Sequence, residues 1–314
     1  MAKPQVGGRK GSTTHIQLAR VLEQRASETQ QEVLRRNALA EALGGACTHV
    51  QVADVGCGTG PLCRTLSEFP NVTRVLGIDP CTTFIDEARR RSCSAKEEYV
   101  CGSGASLPVG DGSLDLVVFW TVLVHVDPAT VAPMLAEARR VLRPGGRVLL
   151  GDNDMAHWRL SDAGMYDPLE MPLRFYVDSF VSDPNLARRF PQLLREAGFE
   201  AGALRVTSVH ERSATSYGCE HVVRRAIDTF LLASQVGEEM VAAMRNELER
   251  RLAANLFSIH LSYASCIGVR RPASFAAASS FAAASTAPAP PSARPSPSSS
   301  SSSAPPPPPS PPLT

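Results

Sequence analysis

Short runs of β-branched and other apolar residues alternate along this chain with segments whose apolar positions recur every three or four residues. The first pattern predicts strands and the second amphipathic helices. Residues from about Thr14 to Leu43 read as helical; VQVADV, TRVLGID, EEYVCG, LDLVVFW and GRVLLGD then read as five strands with helices between them. Such alternation predicts parallel strands joined by crossover helices, an α/β doubly wound sheet with helices on both faces. The helix before the fifth strand is the clearest. Val131, Met134, Leu135, Ala138, Val141 and Leu142 make one stripe, Asp127-Pro128 supplies an N-cap and first-turn proline, and Arg143-Pro144-Gly145-Gly146 ends it. A second stripe, Leu186, Phe190, Leu193, Leu194 and Ala197, opens with Asp183-Pro184 and closes at Gly198. Both stripes are core packing. Beyond them ALRVTSVH and LFSIHLSYASCIGVRR read as two more strands, about seven in all. Roughly 46 residues of helical pattern separate this last pair, far more than a hairpin needs, so a helical insertion is expected there.

Composition changes the picture at the ends. From Pro272 to Thr314 the chain turns to Ala, Ser and Pro, with thirteen of its 25 prolines. So few large apolar groups cannot offset chain entropy, and a disordered tail over 272–314 is expected. Its PPPPPSPP stretch has the form of a ligand for a proline-binding domain; the plainer reading is an inert extension. Residues 1–13 read as a disordered start without the apolar stretch of a secretory signal, although their basic and hydroxylated residues also suit a short organelle-targeting segment. One domain, 14–271, lies between. No run of about 18 apolar residues predicts a membrane span. Thirty-two Lys and Arg against 31 Asp and Glu leave a net charge of +1, so no global field gathers nucleic acid or anionic membrane. The eight cysteines form neither a CxxC pair nor a zinc-site spacing, so no metal is expected. Free thiols in a reducing, cytoplasmic setting are the simplest reading.

Val52-Ala-Asp-Val-Gly-Cys-Gly-Thr-Gly60 is a strand running into a glycine-rich turn at the start of a helix. Such a turn lets a ligand approach the backbone and meet free N–H groups. A dinucleotide fingerprint requires G-x-G-x-x-G, but here Gly56, Gly58 and Gly60 are followed by Pro61 where the third glycine of that fingerprint falls. Asp54 lies inside the strand just before the turn, where a carboxylate can face the ammonium of a bound amino-acid moiety, or accept hydrogen bonds from the turn itself. Asp79 ends the second strand, where an acid accepts hydrogen bonds from two ribose hydroxyls. Its plainer role is a strand-end cap.

In these motifs the chain resembles the class I S-adenosylmethionine-dependent methyltransferases, above all the group that contains the ubiquinone and menaquinone biosynthesis enzymes. The resemblance runs from about Ala40 to Asp152 and rests on VADVGCGTG, VLGIDP, GSGASLPVGDGSLDLVVF and EARRVLRPGGRVLLGD in that order. It implies a Rossmann-like fold and S-adenosylmethionine as cofactor. It further implies that Asp54, Gly56, Cys57 and Gly58 cradle the methionine part, with Gly60 also in the cofactor-binding turn, that Asp79 and Pro80 contact ribose and adenine, and that Ser103, Gly104 and Ala105 border the adenine. Relatives commonly carry an acid where Ser103 stands; serine accepts the same bond without charge.

Residues 40–152 are then the cofactor half, while 14–39 and 153–256 supply acceptor and lid elements. Trp120 and Thr121 follow the fourth strand at the carboxyl edge of the sheet, where open α/β folds hold ligands, so Trp120 is a candidate wall of the transfer site. His125, His157 and Tyr166 are candidate bases, with structural hydrogen bonding the plainer role of His125. The expected reaction is in-line methyl transfer to a small organic acceptor. An RNA or protein methyltransferase would want a basic groove, and Arg89-Arg90-Arg91 is the one tight basic run. A non-catalytic cofactor-binding scaffold is the other alternative.

Overall fold

The computed structural model describes residues 12–44, 48–160, 167–181, 183–233 and 237–272. The expected disorder before residue 14, Tyr166 and the tail lie wholly or mostly outside these residues. Two helices come first, α1 (Ser12–Ser27) and α2 (Thr29–Leu43). Then follow β1 (Val50–Val55), α3 (Pro61–Ser67), β2 (Val72–Asp79), α4 (Thr82–Arg91), β3 (Glu97–Cys101), β4 (Leu114–Trp120), α5 (Pro128–Val141) and β5 (Leu142–Asn153). The cap of α5 forms as its sequence predicts, with the Asp127 carboxylate accepting from Ala129 N at 2.9 Å.

Strands β1 to β5 are parallel, in the order β3-β2-β1-β4-β5. Strand β9 (Ile259–Val269) then pairs antiparallel with β5, and β8 (Arg205–Glu211) pairs antiparallel with the other edge of β9. Two fragments missed by periodicity complete the sheet. They are β6 (Arg159–Leu160), which continues the β5 edge, and β7 (Glu200–Ala201), which continues the β8 edge. The main path thus has the seven strands expected.

Each central strand is buried on both faces, as a near-continuous apolar run requires. On β4, Val117 and Phe119 join Val131, Leu135 and Ala138 of α5, whereas Leu116 and Val118 face Leu39 of α2, Leu62 of α3 and Ile85 of α4. Helix α6 (Glu170–Phe180) was not anticipated; Leu169 at its N-cap and Leu173, Tyr176 and Val177 within it are buried at helical spacing. The segment from Asp183 forms a 3-10 turn and then α7 (Phe190–Glu196). The insertion is a π-helical turn, Gly218–Val223, followed by α8 (Arg224–Ala233) and α9 (Glu238–Ala253). Among the described residues no helix is long and apolar enough to cross a membrane.

Candidate functional site: a crevice between the ends of β1 and β4

The strand order reverses between β1 and β4, and open α/β sheets hold ligands in the crevice at that point. The glycine turn stands at its mouth. Gly56, Gly58 and Gly60 have φ of 78°, 54° and 80°, a conformation that side-chain-bearing residues avoid. A Cβ on Gly56 would stand 2.5 Å from Val122 Cγ2, just beyond β4. Gly56→Ala is therefore expected to destabilise the fold by about 1–3 kcal/mol and to lower Tm by roughly 3–10 °C. A thermal melt within a degree of wild type would contradict this turn geometry. A Cβ on Gly58 would meet only Leu22 Cδ1 of α1, at 2.9 Å. The turn is thus a backbone cradle with α1 laid over it.

Asp79 ties the turn to the next element. Its Oδ2 accepts from Gly58 N at 3.0 Å and its Oδ1 from Cys81 N at 2.9 Å. Burial pushes its pKa up, and those two N–H donors oppose the shift. Gly102 N donates to Asp79 O at 3.1 Å, which brings the exposed Ser103 and Ala105 beside the end of β2. The Ser103 hydroxyl accepts from Ala105 N at 3.2 Å, and Pro80 is exposed next to them.

Asp54 is only 2 % exposed and lies beneath the turn, where Cys63 Sγ donates to its Oδ2 at 3.3 Å. Burial lifts its pKa to about 7, with Asp79 adding repulsion and Arg35 opposing. The Cys63 thiol is driven well above its ordinary range, so it stays protonated and donates. Cys57 is buried too, with its N–H donating to Ile78 O at 3.1 Å and its carbonyl accepting from Gly60 N at 2.9 Å.

Helix α1 closes the crevice from above. Glu23 accepts from Thr59 Oγ1 at 2.6 Å and pairs with Arg64 at 2.8 Å. Arg25 Nη2 donates to Thr121 Oγ1 at 2.7 Å. Periodicity could not reveal these contacts, because α1 carries no motif and its partners are distant in sequence.

The other candidates fall into separate groups. Trp120 is half-buried, with its ring across Gly151 and the core beneath β4. His125 sits in a 3-10 turn held by Asp152, whose Oδ2 accepts from Val124 N at 3.1 Å. Burial and Arg25 lower the His125 pKa to about 4. It is neutral imidazole at pH 7. Asp152, 1 % exposed, is pushed up to about 6 by burial. His157 is engaged elsewhere: its Nδ1 lies 2.9 Å from Asp154 Oδ1, and the same fully buried carboxylate accepts from Arg188 and Ser262. Tyr217 and His221 of the insertion were not singled out by sequence. Tyr217 lies under Arg25, 5.8 Å from guanidinium carbon to ring centroid, and His221 Nε2 lies 2.6 Å from Gln24 Oε1. The insertion thus begins against α1. The basic run is neutralised within its own helix by Asp86 and Glu87, with Arg91 also reaching Glu23, so it forms no open cationic groove.

A parallel sheet reversing between β1 and β4, an antiparallel last strand and a three-glycine turn joined to a β2 acid define the class I methyltransferase architecture. Residues 53–150 match the family described as a methyltransferase domain. A demethylmenaquinone methyltransferase of Beutenbergia cavernae is 32% identical over 149 residues, 48% of this chain and 56% of that protein. An O-methyltransferase of Aspergillus sclerotiorum is 28% identical over 218 residues, 68% of this chain and 75% of that protein. The YcgJ protein of Bacillus subtilis shares the fold with a TM-score of 0.51 at 17% identity, over 76% of this chain and 99% of that one. The matches to the first curated relatives span 42% and 56% of those proteins, about half their length. Over residues 53–150 the chain is thus similar to the class I S-adenosylmethionine-dependent methyltransferases in sequence, and it shares their fold.

Proposed function

We propose that this protein transfers a methyl group from S-adenosylmethionine to a small organic acceptor held between α1, the segment after β5 and the insertion. The observation that carries the reading is the glycine cradle whose Gly58 N–H is fixed by the Asp79 carboxylate at the β1–β4 switch point. The cofactor fits this set. Asp79 uses one lone pair of each oxygen on the backbone and keeps others for two ribose hydroxyls. Asp54, uncharged in part at neutral pH, regains its charge beside an ammonium. Gly56, Cys57, Gly58 and Gly60 offer backbone to the methionine part, and Pro80, Ser103, Gly104 and Ala105 border the adenine.

The bound donor supplies an already activated methyl, so the chain's task is to align the acceptor and exclude water. Helix α1 excludes water over the turn. Of the candidate bases, His125 is favoured, because it is neutral at pH 7 and lies just past the end of β4, whereas His157 sits in the Asp154–Arg188 cluster. A small acceptor accords with the name of one relative, a demethylmenaquinone methyltransferase. Calorimetry is expected to show saturable binding of S-adenosylhomocysteine and none of NADH. Methyl-labelled donor is then expected to label members of a panel of hydroquinones and phenols. Binding of NADH with no response to S-adenosylhomocysteine would overturn the proposal.

A further inference from the structure

We infer that the methyl acceptor carries a carboxylate and that Arg25 receives it. The inference rests on the methyl-transfer reading above and narrows its acceptor to an organic acid. Half-buried Arg25 stands where α1 meets the end of β4 and the start of the insertion. One Nη donates to the Thr121 hydroxyl just past β4 at 2.7 Å, and the guanidinium carbon lies 5.8 Å from the ring centroid of Tyr217. Residues around it make the same junction: Gln24 Nε2 donates to Thr215 O at 2.8 Å, and Glu28 Oε1 accepts from Tyr217 N at 2.9 Å. Three groups that feel the Arg25 charge are Asp152 near the end of β5, His125 in the turn after β4, and Tyr263 of β9. Tyr263 is in register with Asn153, the last residue of β5. All three lie on the β4–β5–β9 side of the sheet, away from the β2 end where the adenosine is expected.

Arg25 has no counter-ion in contact. Among the described residues no carboxylate lies within ion-pair distance of its guanidinium. Asp152, on which Arg25 opposes the upward push of burial, is 1 % exposed and accepts from Val124 N at 3.1 Å and Asn153 N at 2.8 Å. By contrast Arg174, Arg188, Arg224 and Arg251 on neighbouring elements each hold a carboxylate. The open charge is felt nearby: burial and then Arg25 lower the pKa of both Arg35 and His125. A half-buried cation without a partner is unfavourable, and an anion brought to it offsets that cost. A guanidinium has five N–H donors in a planar fork, so beside the Thr121 contact it can take a carboxylate on two parallel bonds.

A single open cation selects a single negative charge. Arg35, the other guanidinium nearby, is 7 % exposed and donates to Ala26 O at 3.0 Å, so it offers no second arm to a phosphate dianion. The Tyr217 ring gives the body of the acceptor a flat apolar wall beside the guanidinium. Thr121 has a φ of 56°, an uncommon value for a β-branched residue, and its N–H donates to Gly151 O at 2.7 Å. That fixed backbone sets the hydroxyl that orients the fork. A carboxylate gripped there anchors one end of the acceptor past β4, beside the turn that carries His125.

Two probes of the same shape test the charge. Calorimetry on the full chain saturated with S-adenosylhomocysteine compares 3,4-dihydroxybenzoate with its uncharged amide, 3,4-dihydroxybenzamide. The wild type is expected to bind the acid at least tenfold more tightly than the amide, about 1.4 kcal/mol. In Arg25→Gln the two are expected to bind within about twofold of each other, with S-adenosylhomocysteine affinity within about twofold of wild type. Arg25→Lys keeps the charge without the fork and is expected to retain part of the preference. No preference for the acid in the wild type, whether the probes bind equally or neither binds, overturns the inference. So does a preference that survives in Arg25→Gln. Loss of S-adenosylhomocysteine affinity in that variant, or equal weakening of both probes, makes Arg25 a structural clamp for α1 and also overturns it. A wild-type chain that does not bind S-adenosylhomocysteine overturns the methyl-transfer reading itself, whereas tight binding without acid preference leaves that reading standing.

Discussion

Asp79→Ala is expected to weaken S-adenosylhomocysteine binding at least tenfold, and on the order of a hundredfold if both ribose hydroxyls lose a charged acceptor. The carboxylate has two duties. It fixes Gly58 N and Cys81 N, which sets the turn against the end of β2, and its remaining lone pairs are the ones proposed to receive the ribose hydroxyls. Removing it leaves two backbone donors without their partner, so a lower Tm accompanies the lost affinity. Asp79→Asn is not expected to rescue binding. An amide has one acceptor oxygen, so its NH₂ must oppose one of the two backbone N–H groups. Titrations at a temperature where wild type and variants are all folded separate the two effects. Affinity unchanged in Asp79→Ala would remove Asp79 from the site.

The donor half was legible because its information is local. A strand, a three-glycine turn and an acid at the end of the next strand sit within one βαβ unit, and each residue type follows from the backbone it must serve. The sheet was legible for a similar reason, since seven apolar runs are long enough to show. What failed was short or assembled from afar. Strands β6 and β7 have two residues each. Helix α6 is the exception, with Leu169, Leu173, Tyr176 and Val177 buried at helical spacing. The contacts that lay α1 and α2 over the sheet edge and the insertion join residues far apart in the chain: Arg25 with Thr121, Gln24 with His221, and Gln31 with both Glu211 and Tyr263. No spacing rule links such residues. His157 shows the converse. An imidazole near the sheet edge resembles a base in sequence, yet its partner is a buried aspartate three residues earlier, in a cluster with Arg188.

Asp54→Asn is expected to change stability and ligand affinity in opposite directions. Burial raises the folded-state pKa of Asp54 to about 7, above the roughly 3.9 of an unfolded chain. Between those values the folded state holds a proton that the unfolded state has released, so stability falls as pH rises. The contribution is complete below about pH 4 and lost by about pH 7. At about 1.4 kcal/mol per pH unit, Asp54 costs the ligand-free fold on the order of 4 kcal/mol at pH 8. An amide at this position does not titrate and has no such dependence. The Tm advantage of the variant is therefore expected to widen between pH 5 and pH 8, by several degrees. Asp152, shifted in the same direction to about 6, is present in both proteins and cancels in the comparison. The same substitution removes the negative charge that would face the donor's ammonium, so S-adenosylhomocysteine is expected to bind more weakly to the more stable protein. Calorimetry adds an independent readout. Near pH 6.5 the wild type is expected to release a proton on binding, giving a heat that varies with the ionisation enthalpy of the buffer, and Asp54→Asn is not. A Tm difference independent of pH would place Asp54 among ordinary surface-like carboxylates, and an unchanged affinity would assign it to the turn alone.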